Sequence, residues 1–174
     1  EEEPYEISNG AELAFVSNEL ANSINSDYAS AYYILTADID LGYQVWTPIG
    51  KTSVYAFKGH FDGQGHKIIG LNVSNTNNSV YAYYGLFGYL TNAEVKNLTV
   101  CGEIYCDEGS ASVGSIAATA TGNTTISNCA SAVSVSAKAG STVGGIVGLC
   151  MKANDIGYQW IDNAVKVTGC MNKG

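Results

Sequence analysis

GLFG at residues 85–88 is a four-residue stretch that returns twice in the sequence, as GSIA at 114–117 and as GGIV at 144–147. The starts of the three stretches lie 29 and 30 residues apart. A second apolar stretch follows each copy and ends near a turn residue: VKNL at 95–98, ISNC at 126–129 and IDNA at 161–164. Self-similarity at a fixed period indicates a repeat architecture, in which one repeat has no buried face until its neighbours stack on it.

A third apolar stretch follows the first two copies, at residues 103–105 and 133–136. Three short strands in a repeat of about 30 residues are typical of a parallel β-helix, in which each coil adds one strand to each of three sheets. The spacing then predicts two buried columns along the stack. They are Leu86 with Ile116 and Ile146, and Leu98 with Cys129.

Asn97 and Asn128 occupy the same place in successive repeats, directly before Leu98 and Cys129. Asn tolerates the left-handed backbone conformation that a tight turn needs, and its amide both donates and accepts hydrogen bonds. We therefore expect a turn at each Asn and a ladder of side-chain hydrogen bonds along the stack.

The N-terminal segment has a helical pattern. Asn9 can cap a helix, and Glu12 lies three residues later, in the capping-box position. Apolar residues then recur on one helical face: Leu13, Val16, Leu20 and Ile24. We expect a helix over residues 9–24 that covers the N-terminal end of the stack, where open strand edges would promote aggregation.

Two regions follow from these patterns. Residues 1–31 form an N-terminal segment with the capping helix, and residues 32–174 form the coils of an otherwise all-β fold. Because a repeat is interrupted at Gly174, we interpret the chain as a fragment of a longer surface protein.

Composition limits the class of partner. The chain has 174 residues, a net charge of -8 and no Arg, so its sequence argues against nucleic-acid or phosphate partners, which are bound through clustered cations and Arg forks. No run approaches the roughly 18 apolar residues needed to span a bilayer, and we expect no membrane insertion of this segment.

Five cysteines, at 101, 106, 129, 150 and 170, are an odd number without a CxxC or Cys/His metal pattern. They could form up to two disulfides with one thiol left over, or pack as small apolar side chains. The repeat places Cys129 in the core and favours the second interpretation.

Several motifs in the first half of the chain resemble those of the GLUG-motif repeat proteins. They are YILTADIDL at 33–41, WTPIG at 46–50, FKGHFDGQGHKI at 57–68 and GLFG at 85–88. That family comprises secreted or wall-anchored bacterial surface proteins, including adhesin-like proteins and the N-terminal regions of immunoglobulin A peptidases. The resemblance implies a right-handed parallel β-helix at an extracellular location, on the bacterial cell surface or secreted. It implies little about the ligand, and the HExxH helix of a metalloprotease is absent from the chain.

Carboxylates and histidines are the first candidates for chemistry. Asp38, Asp40 and Asp62 are weak candidates for a calcium site or for the acid and base of a glycosidase, but carboxylates in turns more often cap backbone N–H groups. His60 and His66 flank one turn and could face each other across paired strands, although a third metal ligand is missing. We expect structural roles, no catalytic residues and no cofactor, with calcium left open.

Aromatic side chains are the stronger surface signal, since the chain has 12 Tyr and 4 Phe. Five of them lie in two segments that depart from the repeat, and we predict that they bind a ligand by ring contact: Tyr81, Tyr83, Tyr84, Tyr158 and Trp160. The alternative is that some of these rings cover the stack.

The leading hypothesis is a non-enzymatic adhesion module that recognises a host protein or glycan through exposed loops and strand faces. An immunoglobulin is a candidate partner because of the peptidase resemblance alone. Two alternatives stay open: a carbohydrate-active enzyme or its accessory domain, and a structural stalk of a larger peptidase or adhesin.

Overall fold

The computed structural model describes residues 3–23, 27–74, 83–151 and 164–174. Within these residues the chain forms one α-helix, a short 3-10 helix at Asp27–Ala29 and seventeen β-strands. The helix, α1, spans Gly10–Asn22. The strands are β1 (Tyr5–Ile7), β2 (Tyr32–Leu35), β3 (Ile39–Asp40), β4 (His60–Asp62), β5 (Lys67–Ser74), β6 (Tyr83–Tyr84), β7 (Phe87–Thr91), β8 (Glu94–Lys96), β9 (Thr99–Cys106), β10 (Ser112–Gly114), β11 (Ala117–Thr121), β12 (Thr125–Ser127), β13 (Ala130–Ala137), β14 (Thr142–Gly144), β15 (Val147–Met151), β16 (Lys166–Thr168) and β17 (Met171–Asn172).

The strands form four sheets whose neighbouring strands all run parallel. The first sheet has the order β1-β2-β4-β8-β12-β16 and the second β3-β5-β9-β13-β17, while β6-β10-β14 form the third and β7-β11-β15 the fourth. A coil is a run of chain that adds a strand to each sheet in turn, such as β8 to β11 and then β12 to β15. This mostly-β, parallel arrangement is consistent with the predicted parallel β-helix.

Each complete coil contributes four strands, where the sequence pattern predicted three. The GLFG-like stretch is a corner and not the middle of one strand: β10 ends at Gly114 and β11 begins at Ala117. Conversely, the third apolar stretch at 103–105 continues the strand that starts at Thr99. The pattern of apolar residues shows neither the bend between β10 and β11 nor the continuous course of β9, so the sequence alone could not predict them.

The register confirms the predicted apolar columns. Phe87 pairs with Ala117, and Ala117 pairs with Val147, so the preceding residues Leu86, Ile116 and Ile146 are also stacked. Leu86 and Ile116 are fully buried, and the Ile116 N–H donates to the Ile146 carbonyl oxygen (3.0 Å). In the other column Thr99 pairs with Ala130, which places Leu98 next to the buried Cys129.

The repeated glycine has a steric cause. A Cβ atom on Gly85 would meet the carbonyl oxygen of Gly114, and one on Gly114 would meet that of Ala117. One on Gly144 would meet the carbonyl oxygen of Val147. The corner between the third and fourth sheets therefore needs a residue without a side chain in each coil, which is why the period of the sequence is visible there.

The Asn corner between the first and second sheets forms the predicted ladder. Asn97 and Asn128 have φ angles of 53° and 52°, and Gly169 takes the same place in the next coil with a φ of 62°. The Asn128 amide donates to Asn97 Oδ1 (3.4 Å), and the Asn97 amide donates to Asp62 Oδ1 (3.0 Å).

In the later coils two of the four corners have a constant length and two vary, whereas the corner between the first and second sheets is longer in the first two coils, at 36–38 and 63–66. Two residues separate the first-sheet strand from the second-sheet strand in the last three coils, and two separate the third from the fourth in each coil that has both. Between the second and third sheets the connections within the described residues are 107–111 and 138–141. Between the fourth and first sheets those within the described residues are 92–93 and 122–124. In the later coils, differences in chain length thus occur at alternate corners.

The helix α1 packs on the N-terminal end of the stack. Asn9 Oδ1 accepts hydrogen bonds from the Ala11 and Glu12 N–H groups (3.0 Å each), while Glu12 Oε2 accepts from the Ser8 N–H. A Cβ on Gly10 would lie 3.0 Å from the Asp40 carbonyl oxygen of β3, the terminal strand of the second sheet. The buried helix residues join the core of the coils: Leu13, Val16 and Leu20. The predicted Ile24 lies outside the described residues.

Substituting Gly114 by Ala should lower the free energy of unfolding by at least about 2 kcal/mol, because the new Cβ would overlap the backbone of Ala117 in the same corner and of Gly148 in the next coil. Urea unfolding followed by circular dichroism measures the change. Ser134→Ala on the exposed face of β13 is the matched control and should change the stability by less than about 0.5 kcal/mol. Equal stability of the two variants would contradict this explanation of the period.

Substituting Asn128 by Ala should cost about 1 kcal/mol, because Ala tolerates the left-handed conformation poorly. Asn128→Gly should cost less, since Gly169 already occupies the equivalent corner. The same urea titration distinguishes the two. Equal losses of stability in the two variants would show that the amide ladder, which both substitutions remove, and not the backbone conformation, determines the choice of Asn.

Candidate functional site

The outer surface of the second sheet presents two rows of side chains to solvent. Burial alternates along β9, where Ile104 and Cys106 are buried while Glu103 and Tyr105 are exposed. The register extends this alternation to β5 and β13. We call the resulting surface the Tyr105 face and define it by Asn72, Glu103 and Ser134 in one row and Ser74, Tyr105 and Ser136 in the other.

Tyr105 is the aromatic residue at the centre of this face. Its side chain is 57% exposed, and its cross-strand neighbours are Ser74 on β5 and Ser136 on β13. Because both neighbours are short, neither can cover the ring. The geometry therefore presents a flat apolar surface flanked by hydroxyl groups, which is suited to stacking on a sugar ring or an apolar side chain.

An open cleft of about 400 Å³ adjoins Tyr105. It is lined by the ends of β9 and β13 and the residues that follow them: Tyr105, Cys106, Asp107, Ser136, Ala137 and Lys138. The cleft brings a carboxylate, an ammonium group and a hydroxyl group together beside an exposed ring. Such a set can orient a polar ligand by hydrogen bonds while the ring supplies contact area.

Two of the five aromatic residues predicted to bind a ligand lie within the described residues. Tyr81, Tyr158 and Trp160 lie outside the described residues. Tyr83 is half-buried, and its ring packs edge-on against Tyr89 at a centroid distance of 5.5 Å.

Tyr84 is a core residue, which corrects its assignment as a surface contact. It is 4% exposed and pairs with the fully buried Val113 in the third sheet, and burial raises the pKa of its phenol. Its ring therefore has no free face for a ligand.

Asp62 is a structural carboxylate. It is 5% exposed, and its Oδ1 accepts hydrogen bonds from the Gln64 N–H (2.9 Å) and the Asn97 amide (3.0 Å). Its Oδ2 accepts from the Gln64 side-chain amide (3.0 Å), and Lys96 Nζ lies 4.0 Å away. These donors satisfy the carboxylate within the corner, as the turn interpretation predicted.

Asp38 and Asp40 also bind backbone N–H groups. Asp38 Oδ1 accepts from the Lys67 N–H (2.9 Å), and this bond, followed by the contact with His66 Nδ1 (3.2 Å), lowers the pKa of the carboxyl group. Asp40 Oδ1 accepts from the Gly42 N–H (2.8 Å). In the part of the chain that the structure describes, no three His, Cys, Asp or Glu side chains come together as metal ligands would, so these aspartates do not form the calcium candidate as a set.

The two histidines do not face each other. The strands on either side of their turn, β4 and β5, belong to different sheets, so they cannot pair as a hairpin. His60 Nδ1 instead lies 3.1 Å from Glu94 Oε2, which also contacts Lys96 Nζ at 3.4 Å. The second histidine, His66, contacts Asp38, as described above, so each histidine is paired with a different carboxylate.

Sequence reasoning did not identify Tyr105 as a candidate, although a signal was present. The stretch Glu103-Ile104-Tyr105 alternates polar, apolar and aromatic residues, and such alternation places Tyr105 opposite the buried Ile104. A Tyr on the outward side of a strand was therefore predictable, but the size of its neighbours was not, because that depends on the register.

Comparisons with known proteins identify one relative by sequence and one solved structure with a similar fold. No protein-family model matches the chain. The chain is 35% identical over 109 residues to a protein of Evansella cellulosilytica that is provisionally named a Gly-rich membrane protein, and this match covers 62% of the chain and 12% of that protein. The chain thus spans a small part of this relative.

A solved structure has the same fold over nearly the whole chain. It is a Bacteroides ovatus protein, provisionally named an immunoglobulin A1 protease, with a TM-score of 0.56 and 20% identity. The superposition covers 98% of this chain and 62% of that one. At this identity the similarity shows the fold alone, and it is consistent with the resemblance to surface repeats of immunoglobulin A peptidases. In the described residues no helix is long and apolar enough to cross a bilayer.

Replacing Glu94 by Gln should lower the stability near pH 7 by less than about 1 kcal/mol, because the ion pairs are partly exposed. The hydrogen bond from His60, and then Lys96, hold the pKa of Glu94 below its ordinary value. Because the pKa of Glu94 is lower in the folded chain than in the unfolded chain, where it is 4.5, the ionised carboxylate stabilises the fold at pH values above 4.5. This stabilisation is lost as the pH falls through the pKa of Glu94 in the folded chain.

The difference between the Glu94→Gln variant and the parent chain should therefore shrink as the pH falls below about 4.5. Urea midpoints at about pH 7 and pH 3 measure it. Glu103→Gln, on the second sheet, is the control for the loss of one charge. A difference that grows on acidification would contradict the expected sign.

Proposed function

We propose that this chain is a non-enzymatic binding module of a bacterial cell-surface or secreted protein. It is extracellular, folds as a right-handed parallel β-helix of the GLUG-motif type, and recognises a host protein or glycan without a cofactor. The observation that carries the proposal is the exposed ring of Tyr105 beside an open polar cleft.

Tyr105 lies on a strand that is held in place on both sides. It lies near the end of an eight-residue strand, β9, which is hydrogen-bonded on both sides, to β5 and to β13. All eight residues of β9 pair with residues of β13, and the buried Ile104 anchors the strand beside the ring. Because the backbone at Tyr105 is already held in place, only the torsions of its side chain are restricted on binding, which favours affinity.

The surface around the ring is chemically suited to a neutral, hydroxyl-rich ligand. Three serines surround Tyr105 on the two rows, and Glu103 is the one charged member of the Tyr105 face. A net charge of -8 without Arg disfavours polyanionic partners such as nucleic acids. Sugar rings and polar protein surfaces match this combination of stacking surface and small hydrogen-bonding groups.

The comparisons support the proposed location. The Bacteroides ovatus structure shares the fold and is provisionally named an immunoglobulin A1 protease, and the Evansella relative is provisionally named a membrane protein. Both names fit a module carried by a larger protein at the cell envelope or outside the cell. They also make immunoglobulin A a partner to include in a screen.

The test is a binding screen of the purified chain against host glycans, immunoglobulins and matrix proteins, with and without calcium. Tyr105→Ser should weaken binding of any ligand that is found by about tenfold or more, since the ring supplies the central contact. Tyr32→Ser, which removes a half-buried Tyr from the first sheet, is the matched control and should leave the affinity unchanged.

Two results would contradict the proposal. Equal affinities of the Tyr105→Ser variant and the parent chain would remove the Tyr105 face from the binding site. The absence of binding across the whole panel would favour a structural stalk.

A further inference from the structure

The register brings two of the five cysteines into adjacent coils at one position. Ala130 pairs with Met171 in the second sheet, so the residues directly before them, Cys129 and Cys170, are cross-strand neighbours. The Met171 N–H donates to the Cys129 carbonyl oxygen (2.9 Å). Neighbouring parallel strands lie about 4.8 Å apart, which falls within the Cα separation that a disulfide can bridge.

The two thiols also have equivalent orientations. Cys129 Sγ lies 3.3 Å from the Ser127 carbonyl oxygen, and Cys170 Sγ lies 3.4 Å from that of Thr168, two residues earlier in each case. Cys170 Sγ also reaches the Ile126 carbonyl oxygen (3.7 Å), which belongs to the coil of Cys129. The sulfur of Cys170 is thus directed towards the coil in which Cys129 lies.

The other three cysteines have no such neighbour. Cys101 pairs with Ala132, Cys106 with Ala137, and Cys150 with Ala120. All five are free thiols in the structure. The register therefore singles out one pair.

We propose that Cys129 and Cys170 form a disulfide under oxidising conditions, which fastens the last described coil to the one before it. The oxidant is a small-molecule disulfide such as oxidised glutathione. The half-buried Cys170 thiolate attacks one of its sulfurs and releases one glutathione thiolate. Cys129 then attacks Cys170 Sγ and releases the second, so that two protein thiols are oxidised while one glutathione disulfide is reduced to two thiols.

Accessibility sets the order of the two steps. Cys129 is 1% exposed, whereas Cys170 is partly exposed at the C-terminal end of the described stack. Burial raises the pKa of Cys129 to about 12, so the second step is slow near neutral pH and accelerates as the pH rises.

The bridge has a structural consequence at that end of the stack. β16 and β17 are strands of three and two residues, and all five residues are exposed. Each pairs with one neighbouring strand, so these two strands separate from the stack more easily than the strands of the preceding coils do. A covalent bond to Cys129 opposes this opening.

The experiment is equilibration of the intact chain with oxidised glutathione at about pH 8, followed by thiol counting and mass spectrometry. Free thiols in the denatured protein should fall from five to three, with the loss of two hydrogen atoms in mass. Cleavage after Lys and after Glu separates every cysteine, and the expected cross-linked pair joins residues 109–138 to residues 167–173. Amide hydrogen exchange in β16 and β17 should slow by about tenfold.

Two variants complete the test. Cys170→Ser should abolish the cross-link and the slower exchange, and its position at the end of the described stack makes it tolerable to the fold. Cys150→Ser is the matched control and should keep both. A chain that retains five thiols, a cross-link to any other cysteine, or a stable glutathione adduct on Cys170 would each overturn the proposal.

Discussion

Backbone hydrogen bonds between successive coils fix the height and the register of every residue in the stack. The Phe87 N–H donates to the Ile116 carbonyl oxygen, and the Ile116 N–H donates to that of Ile146, each one coil further along the chain. Apolar side chains form columns, corners superimpose and outward rows are continuous because this register holds. The tight glycine corner also depends on it, since the carbonyl oxygen that excludes a side chain there is positioned by the same bonds.

Polar groups in this protein mainly complete corners. Asp62, Asn97 and Asn128 form one chain of hydrogen bonds through three coils, and Asp38 binds a backbone N–H at the start of β5. Carboxylates used in this way have their acceptor sites occupied by the protein itself. The exposed aromatic ring lies elsewhere, on the second sheet, where the short serine side chains beside Tyr105 leave it open to solvent.

The sequence contained the period, the two columns and the Asn ladder, because each is a repetition of residue type at one place in a coil. Repetition does not show where a strand bends, and this is why the corner between Gly114 and Ala117 could not be predicted from the sequence. Tyr83 and Tyr84 are adjacent and similar, so the sequence could not say which is buried. The pairing of Tyr84 with Val113 decides it, and that pairing involves residues 29 apart.

The alternation of constant and variable corners in the later coils separates the positions that hold the register from those that can change in length. In the later coils the constant corners carry the repeated glycines and asparagines, whose backbone conformation a two-residue corner requires. The variable corners already differ in length from coil to coil, and one of them borders the cleft beside Tyr105. A change of length at that corner would therefore alter the border of the cleft and leave the apolar columns and the register of the coils in place.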